Sequence, residues 1–197
     1  AAASVPVGGP CLGTQLRTYR LAVACTGEYA VAVGGTTAPL LHSAIVTSVN
    51  RVNGVFETEV AVRLVLIANN NLIEYLNAGT DLFTGNNMPS TLINESQSVI
   101  NSIIGAANYD IGHTFSTGGG GFAQLGCVCT AGSKARGVTG TPTPTGDGYD
   151  IDFVAHEMGH QFGGEHTFNA TTGNCNLTGD NSSNAEPGSG TTIMAYA

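Results

Sequence analysis

The stretch His156-Glu157-Met158-Gly159-His160-Gln161-Phe162-Gly163-Gly164-Glu165-His166 decides how the rest of the chain is read. It holds three of the five histidines. In a helix, side chains four apart stand one turn above each other on one face, so His156 and His160 present two imidazoles to one point. Gly163 can take a positive φ, which stops a helix and turns the chain sharply. That turn brings His166 back as a third nitrogen. Three such ligands leave a zinc ion one open position, the mark of a catalytic rather than a closed structural site. Glu157 lies next to the first ligand, where a carboxylate can reach a water without being a ligand itself.

Outward from this stretch, the composition removes several classes. The chain has 197 residues, only 10% of them charged, a single lysine (Lys134) and a net charge of −8. Phosphate binding needs clustered Lys and Arg, so nucleic acid is not an expected partner. An anionic membrane surface is disfavoured for the same reason, and no run of eighteen apolar residues spells a transmembrane helix. Ser116-Thr-Gly118-Gly-Gly-Gly121 lacks the lysine and the following helix of a phosphate-binding loop. The 28 glycines and many Ser, Thr and Asn residues suggest long surface loops and fit a secreted protein.

Periodicity predicts an alternation of strands and helices. Leu16 to Cys25 reads as a strand entering a core. Thr36 to Val55 reads as a helix with Leu40, Ala44, Ile45, Val49, Val52 and Val55 inward, capped by Thr37 with Pro39 in the first turn. Glu59 to Ile67 is expected as a strand with Val60, Val62, Leu64 and Leu66 on one face. A polar loop follows to about Ser90. Thr91 to Ala106 is a second helix, and Asn108 to Phe115 leads into a third strand. The order implies parallel strands with helical crossovers, an α/β (α+β) fold. Phe122 to Cys129 is expected as one strand, with a shorter one at Ala135 to Thr139. Asp150 or Asp152 is expected to cap the helix that carries the histidines, with Val154, Met158 and Phe162 as its buried stripe.

The five cysteines are Cys11, Cys25, Cys127, Cys129 and Cys175. None forms a CxxC pair, so a structural zinc site is not expected, and one or two disulfides are. Cys127 and Cys129 are not expected to bond each other. Cys11 reads as a disulfide partner, a free thiol or a metal-capping thiol of a retained pro-segment. His42 and His113 have no ligand partner at useful spacing and are expected to be structural.

The extended pattern of three histidines, glutamate and glycine resembles the zinc signature of the metzincin metallopeptidases, HExxHxxGxxH. A second landmark sharpens the resemblance. Met194, in Thr191-Thr-Ile-Met194-Ala-Tyr196-Ala, lies 28 residues after His166 and resembles the methionine turn packed beneath the zinc site of that family. The segments LRTYRLAVACTGEY (from Leu16) and KARGVTG (from Lys134) are similar to the secreted, bacterial-type members of the reprolysin or adamalysin-like branch. One departure is Thr167, where adamalysins carry an aspartate directly after the third histidine.

The resemblance implies a mixed twisted sheet with an antiparallel edge strand and packing helices. An active-site cleft lies above a smaller irregular C-terminal lobe. It implies one catalytic domain over 1–197, with an upper lobe over about 12–163 and a lower lobe over 164–197 that continues beyond Ala197. It implies one catalytic Zn2+ held by His156, His160 and His166, with Glu157 activating a water for peptide-bond hydrolysis in protein or peptide substrates. Gly121, Phe122, Ala123, Gln124, Leu125 and Gly126 are the candidate edge that binds the substrate backbone; a plain edge strand is the alternative. Tyr196, two residues after the methionine, is a candidate accessory group at the metal or, alternatively, a packing ring. Ca2+ is compatible with the resemblance, but no residue set places it. A removed inhibitory pro-segment and a monomeric state are expected. The rival reading is a catalytically silent binding or adhesion module on the same scaffold.

Overall fold

The structure, a computed structural model, describes residues 15–170, 172–175 and 183–196. Cys11, expected in a disulfide or over the metal, lies outside them, as do Ala197 and most of the loop after Cys175.

Strand β1 (Arg17–Cys25) is an inner strand of the sheet. Its first residues are exposed, and Leu21 to Cys25 are fully buried on both faces, as parallel sheets covered by helices require. It pairs in parallel with β2 (Val62–Leu66) and β3 (Ile111–Ser116), in registers Leu21↔Leu66 and Leu21↔Ile111. Beyond Leu66 the ladder is continued by a side chain. The Asn70 amide accepts from Val23 N–H at 2.8 Å and donates to Val23 C=O at 2.9 Å. β5 (Gly137–Gly140) joins β3 in parallel, and β4 (Gly120–Ala123) joins β5 antiparallel, giving the order β2-β1-β3-β5-β4. The expected antiparallel edge strand is therefore β4.

Helices cover both faces. Leu21, Val23 and Cys25 face α2 (Ala38–Glu59) and the histidine-bearing helix, while Ala22 and Ala24 face α3 (Pro89–Ile103). A short α1 (Gly27–Ala32) follows β1, capped by the Thr26 hydroxyl on Tyr29 N–H. Tyr29, Phe115 and Tyr149 pack ring on ring at 5.3 and 5.7 Å and tie this helix and β3 to the histidine-bearing helix.

Several expectations need correction. α2 buries Leu41, Ile45, Val49, Val52 and Phe56, whereas Leu40 is exposed; the stripe is one residue out of phase at its start. α2 also runs on to Glu59, so β2 begins only at Val62 after a turn through Ala61 at φ 53. Val60 is thereby exposed rather than in the strand face. The expected strand Phe122 to Cys129 stops at Ala123. Gly126 and Cys129 take φ of 62 and 61, which no extended chain tolerates. Gln124, Leu125 and Gly126 of the candidate edge therefore lie in a loop. Neither Asp150 nor Asp152 caps the histidine-bearing helix. That run opens with α4 (Asp147–Tyr149) behind Gly146 and widens into a π-helical turn at Asp150–Ala155. It ends as α5 (His156–Gln161). Val154 and Met158 are buried as expected, and Phe162 is half-buried. The expected disulfides are absent among the described cysteines: Cys25, Cys127, Cys129 and Cys175 are all free.

Candidate metal centre

α5 is held at its C-terminal end by the loop that replaces the expected strand. Gly126 N–H donates to His160 C=O at 2.9 Å and Val128 N–H to Gln161 C=O at 3.2 Å, satisfying carbonyls that a helix end leaves open. A second set of bonds fixes the helix to the sheet. The Gln161 Nε2 group donates to Gly112 C=O at 2.9 Å, which leaves its Oε1 to accept from His113 Nδ1–H at 2.8 Å. His113 Nε2 then accepts from the Thr139 hydroxyl at 2.8 Å. His113 is fully buried, and burial pushes its pKa down to about 4. It is structural, as expected. His42, on α2, meets the buried Glu74 carboxylate at 2.7 Å.

After Phe162 the chain turns through Gly163 at φ 100. Gly163 N–H bonds to His160 C=O and Gly164 N–H to Gly159 C=O, both at 2.9 Å. The turn returns His166 to the helix. The three Nε2 atoms then stand 3.0 Å (His156 to His160), 3.1 Å (His156 to His166) and 3.1 Å (His160 to His166) apart. The contact between His156 and His160 is not a hydrogen bond. His156 Nδ1–H donates to Ile193 C=O and His160 Nδ1–H to Gly164 C=O, each at 2.6 Å. A neutral imidazole has one N–H, so those two Nε2 atoms are bare acceptors. Lone pairs converging at this distance repel unless a cation lies among them.

Burial lowers the pKa of all three histidines, that of His166 to about 4, and so holds them in the neutral, ligating form. Three nitrogens around one tetrahedral zinc at about 2.0–2.1 Å stand roughly 3.3 Å apart. The triad is within a few tenths of an ångström of that spacing and could hold one metal ion. The carbonyls behind His156 and His160 are the acceptors that orient metal-binding imidazoles.

Glu157 is buried, and desolvation raises its pKa to about 8 in the metal-free chain. Its carboxylate lies against β4. A Cβ placed on Gly121 would stand 2.1 Å from Glu157 Oε1 and 2.4 Å from Cδ. Met194 packs against α5 at Gly159, where an added Cβ would meet its sulfur at 2.5 Å. Thr167 N–H donates to Met194 C=O at 3.1 Å. The Tyr196 ring is half-exposed, with its centroid 4.8 Å from that of His166 and 5.7 Å from that of His156. Phe168 stacks on His166 at 4.8 Å. Of the candidate edge, Gly121 to Ala123 lie in β4, and Phe122 and Leu125 expose apolar surface.

Two residues of the site, Gln161 and Glu186, and one contact, that of Gly121 with Glu157, escape a reading by motif. Gln161 is a polar residue three positions after buried Met158, a signal available in the sequence. Gly121 touches Glu157 only through tertiary packing. Glu186 accepts hydrogen bonds from Thr167, Thr191 and Thr192, which hold its carboxyl down to about 2. Nothing in a Gly/Ser-rich loop announced it.

Three converging imidazole nitrogens, a buried glutamate next to one of them in the chain and a sheet edge against that glutamate make up a site able to hold one metal ion. The reprolysin-like metallo-peptidase family M12B matches residues 15–197, and the chain belongs to that family. No curated protein sequence matches it. The family is one of zinc-using metallopeptidases, acting on protein or peptide substrates. No helix among the described residues is long and apolar enough to cross a membrane.

Proposed function

We propose that the chain is a zinc-dependent endopeptidase with one Zn2+ bound by His156, His160 and His166 and with Glu157 as general base. The observation that carries this reading is the convergence of three Nε2 atoms within 3.1 Å, with backbone carbonyls holding the Nδ1 protons of His156 and His160. Zinc bound there would acidify a water and polarise a substrate carbonyl. Glu157 takes the proton from the attacking water and returns it to the leaving amine. Its burial suits both steps, because a carboxylate held in a dry pocket is readily protonated.

The substrate chain aligns along β4. Among the described residues that strand pairs only with β5, which leaves its other edge to an added strand. Gly121 lets the substrate backbone and the glutamate share one spot. Tyr196 lines the same space and is proposed as an accessory group beside His166. Monomeric action and prior loss of an inhibitory segment belong to this proposal. Secretion rests on composition alone, since the described cysteines are free.

The test is Glu157→Ala in the full chain. It should fold and bind zinc as the parent does, and lose about 10²–10⁴-fold in kcat on a protein substrate. Undiminished activity would sink the mechanism. Activity should also disappear with a chelator and return with zinc.

A further inference from the structure

Thr167, directly after the third histidine, has a hydroxyl and no carboxylate. The structure supplies one from elsewhere in the chain. Glu186 Oε1 accepts from the Thr167 hydroxyl at 2.5 Å and from the Thr192 hydroxyl. Its Oε2 accepts from Thr191 N–H at 2.7 Å, Thr192 N–H at 3.2 Å and the Thr191 hydroxyl at 3.3 Å. The backbone doubles the link: Glu186 N–H donates to Thr167 C=O at 2.8 Å, and Asn169 N–H to Glu186 C=O at 3.0 Å.

The two segments clamped in this way are the ones that orient the triad. Thr167 directly follows His166. Thr192 directly precedes Ile193, whose carbonyl receives the His156 Nδ1 proton. One carboxylate thus stands a single peptide away from the supports of two histidines. It also stands a single residue from the Met194 turn, whose carbonyl takes the Thr167 N–H.

We propose that Glu186 is a positioning residue of the metal centre, its carboxylate locking the His166 segment to the Ile193–Met194 turn so that metal affinity depends on it. The proposal rests on the triad being a zinc site. A clamp of partly solvated hydrogen bonds contributes little to global stability, so its effect is local. A Gln side chain keeps the shape but puts an NH₂ group where one oxygen was. Hydroxyls can rotate to accept from it, whereas the two backbone N–H groups cannot. Glu186→Gln should therefore retain part of the clamp and Glu186→Ala none.

Zinc affinity is measured by competition with a chromophoric chelator, on the parent, Glu186→Ala and Glu186→Gln. Thermal unfolding of the zinc-free proteins runs alongside. The expected result is a loss of about 10–100-fold for Ala and a smaller loss for Gln, with zinc-free midpoints within about 3 °C of the parent. Cobalt(II) substituted into the Gln variant should give an altered visible spectrum. Affinity within twofold of the parent in both variants overturns the proposal, as does a loss in step with a large fall in the zinc-free midpoint. Should the Ala variant not fold, the Gln variant decides by the same criteria. A parent that binds no zinc overturns the zinc reading itself, and this role with it.

Discussion

Gly121→Ala isolates the contact between the sheet edge and the glutamate. By intrinsic preference the change is favourable, because glycine weakens a strand by roughly 0.5–1 kcal/mol relative to alanine. The sign is decided by overlap. The new Cβ would lie 2.1, 2.4 and 2.5 Å from Oε1, Cδ and Cγ of Glu157, against normal carbon contacts of about 3.5–4.0 Å. The clashing atoms belong to a side chain that can swing, so the fold survives and the carboxylate moves by about 1 Å. A displacement of that size costs about 10²-fold in rate, or about 2.7 kcal/mol of barrier. The assay is steady-state hydrolysis of a quenched peptide, with zinc content and thermal midpoint measured on the same samples. The expected outcome is kcat down about 10²-fold, with zinc stoichiometry intact and the midpoint within a few degrees. A kcat within twofold of the parent would refute the reasoning. A loss confined to KM would place the effect on substrate docking rather than on Glu157.

Other perturbations follow from the same geometry. Gly159→Ala should improve helix propensity by about 1 kcal/mol yet lower both the thermal midpoint and zinc affinity, because the methyl meets the Met194 sulfur. Pairing it with Met194→Ala in a double-mutant cycle should show positive coupling. His113 has its folded pKa depressed to about 4, against about 6.5 when unfolded. The unfolded chain therefore takes up a proton that the native state refuses. Its stability contribution is intact above pH 6.5 and lost as pH falls toward 4, by about 3 kcal/mol. Urea unfolding of chelated protein between pH 7 and 4 should show that excess slope in the parent and not in His113→Asn. Removing the metal leaves the lone pairs of His156 and His160 facing each other. Free zinc at a hundredfold its Kd should therefore stabilise the protein by about 2.7 kcal/mol, a rise of about 5–10 °C in midpoint. The gain should shrink as acid protonates the imidazoles.

The reach of the sequence differed sharply between its parts. β1, α3 and the buried residues Val154 and Met158 were legible, because strand and helix periods are local and their apolar residues repeat at those periods. At the start of α2's stripe the structure buries Leu41 rather than Leu40, since only packing into the cluster that holds Leu21 and Val23 selects between them. The edge strand was read too long for a related reason. Phe122 to Cys129 has strand composition throughout, but Gly126 and Cys129 adopt left-handed φ so that the loop can turn onto the end of α5.

What the sequence determined by itself is the ligand set and its order. Histidines four apart, and a glycine able to turn before the third, are consequences of helix pitch and of a residue without a Cβ. The tertiary structure decided what surrounds those ligands. The Ile193 carbonyl behind His156, Gly121 against Glu157, Gln161 on His113 and Glu186 on Thr167 join residues distant in the chain. No local spacing encodes such contacts, because they exist only once separate segments are brought to the same place by burial of the two faces of one sheet.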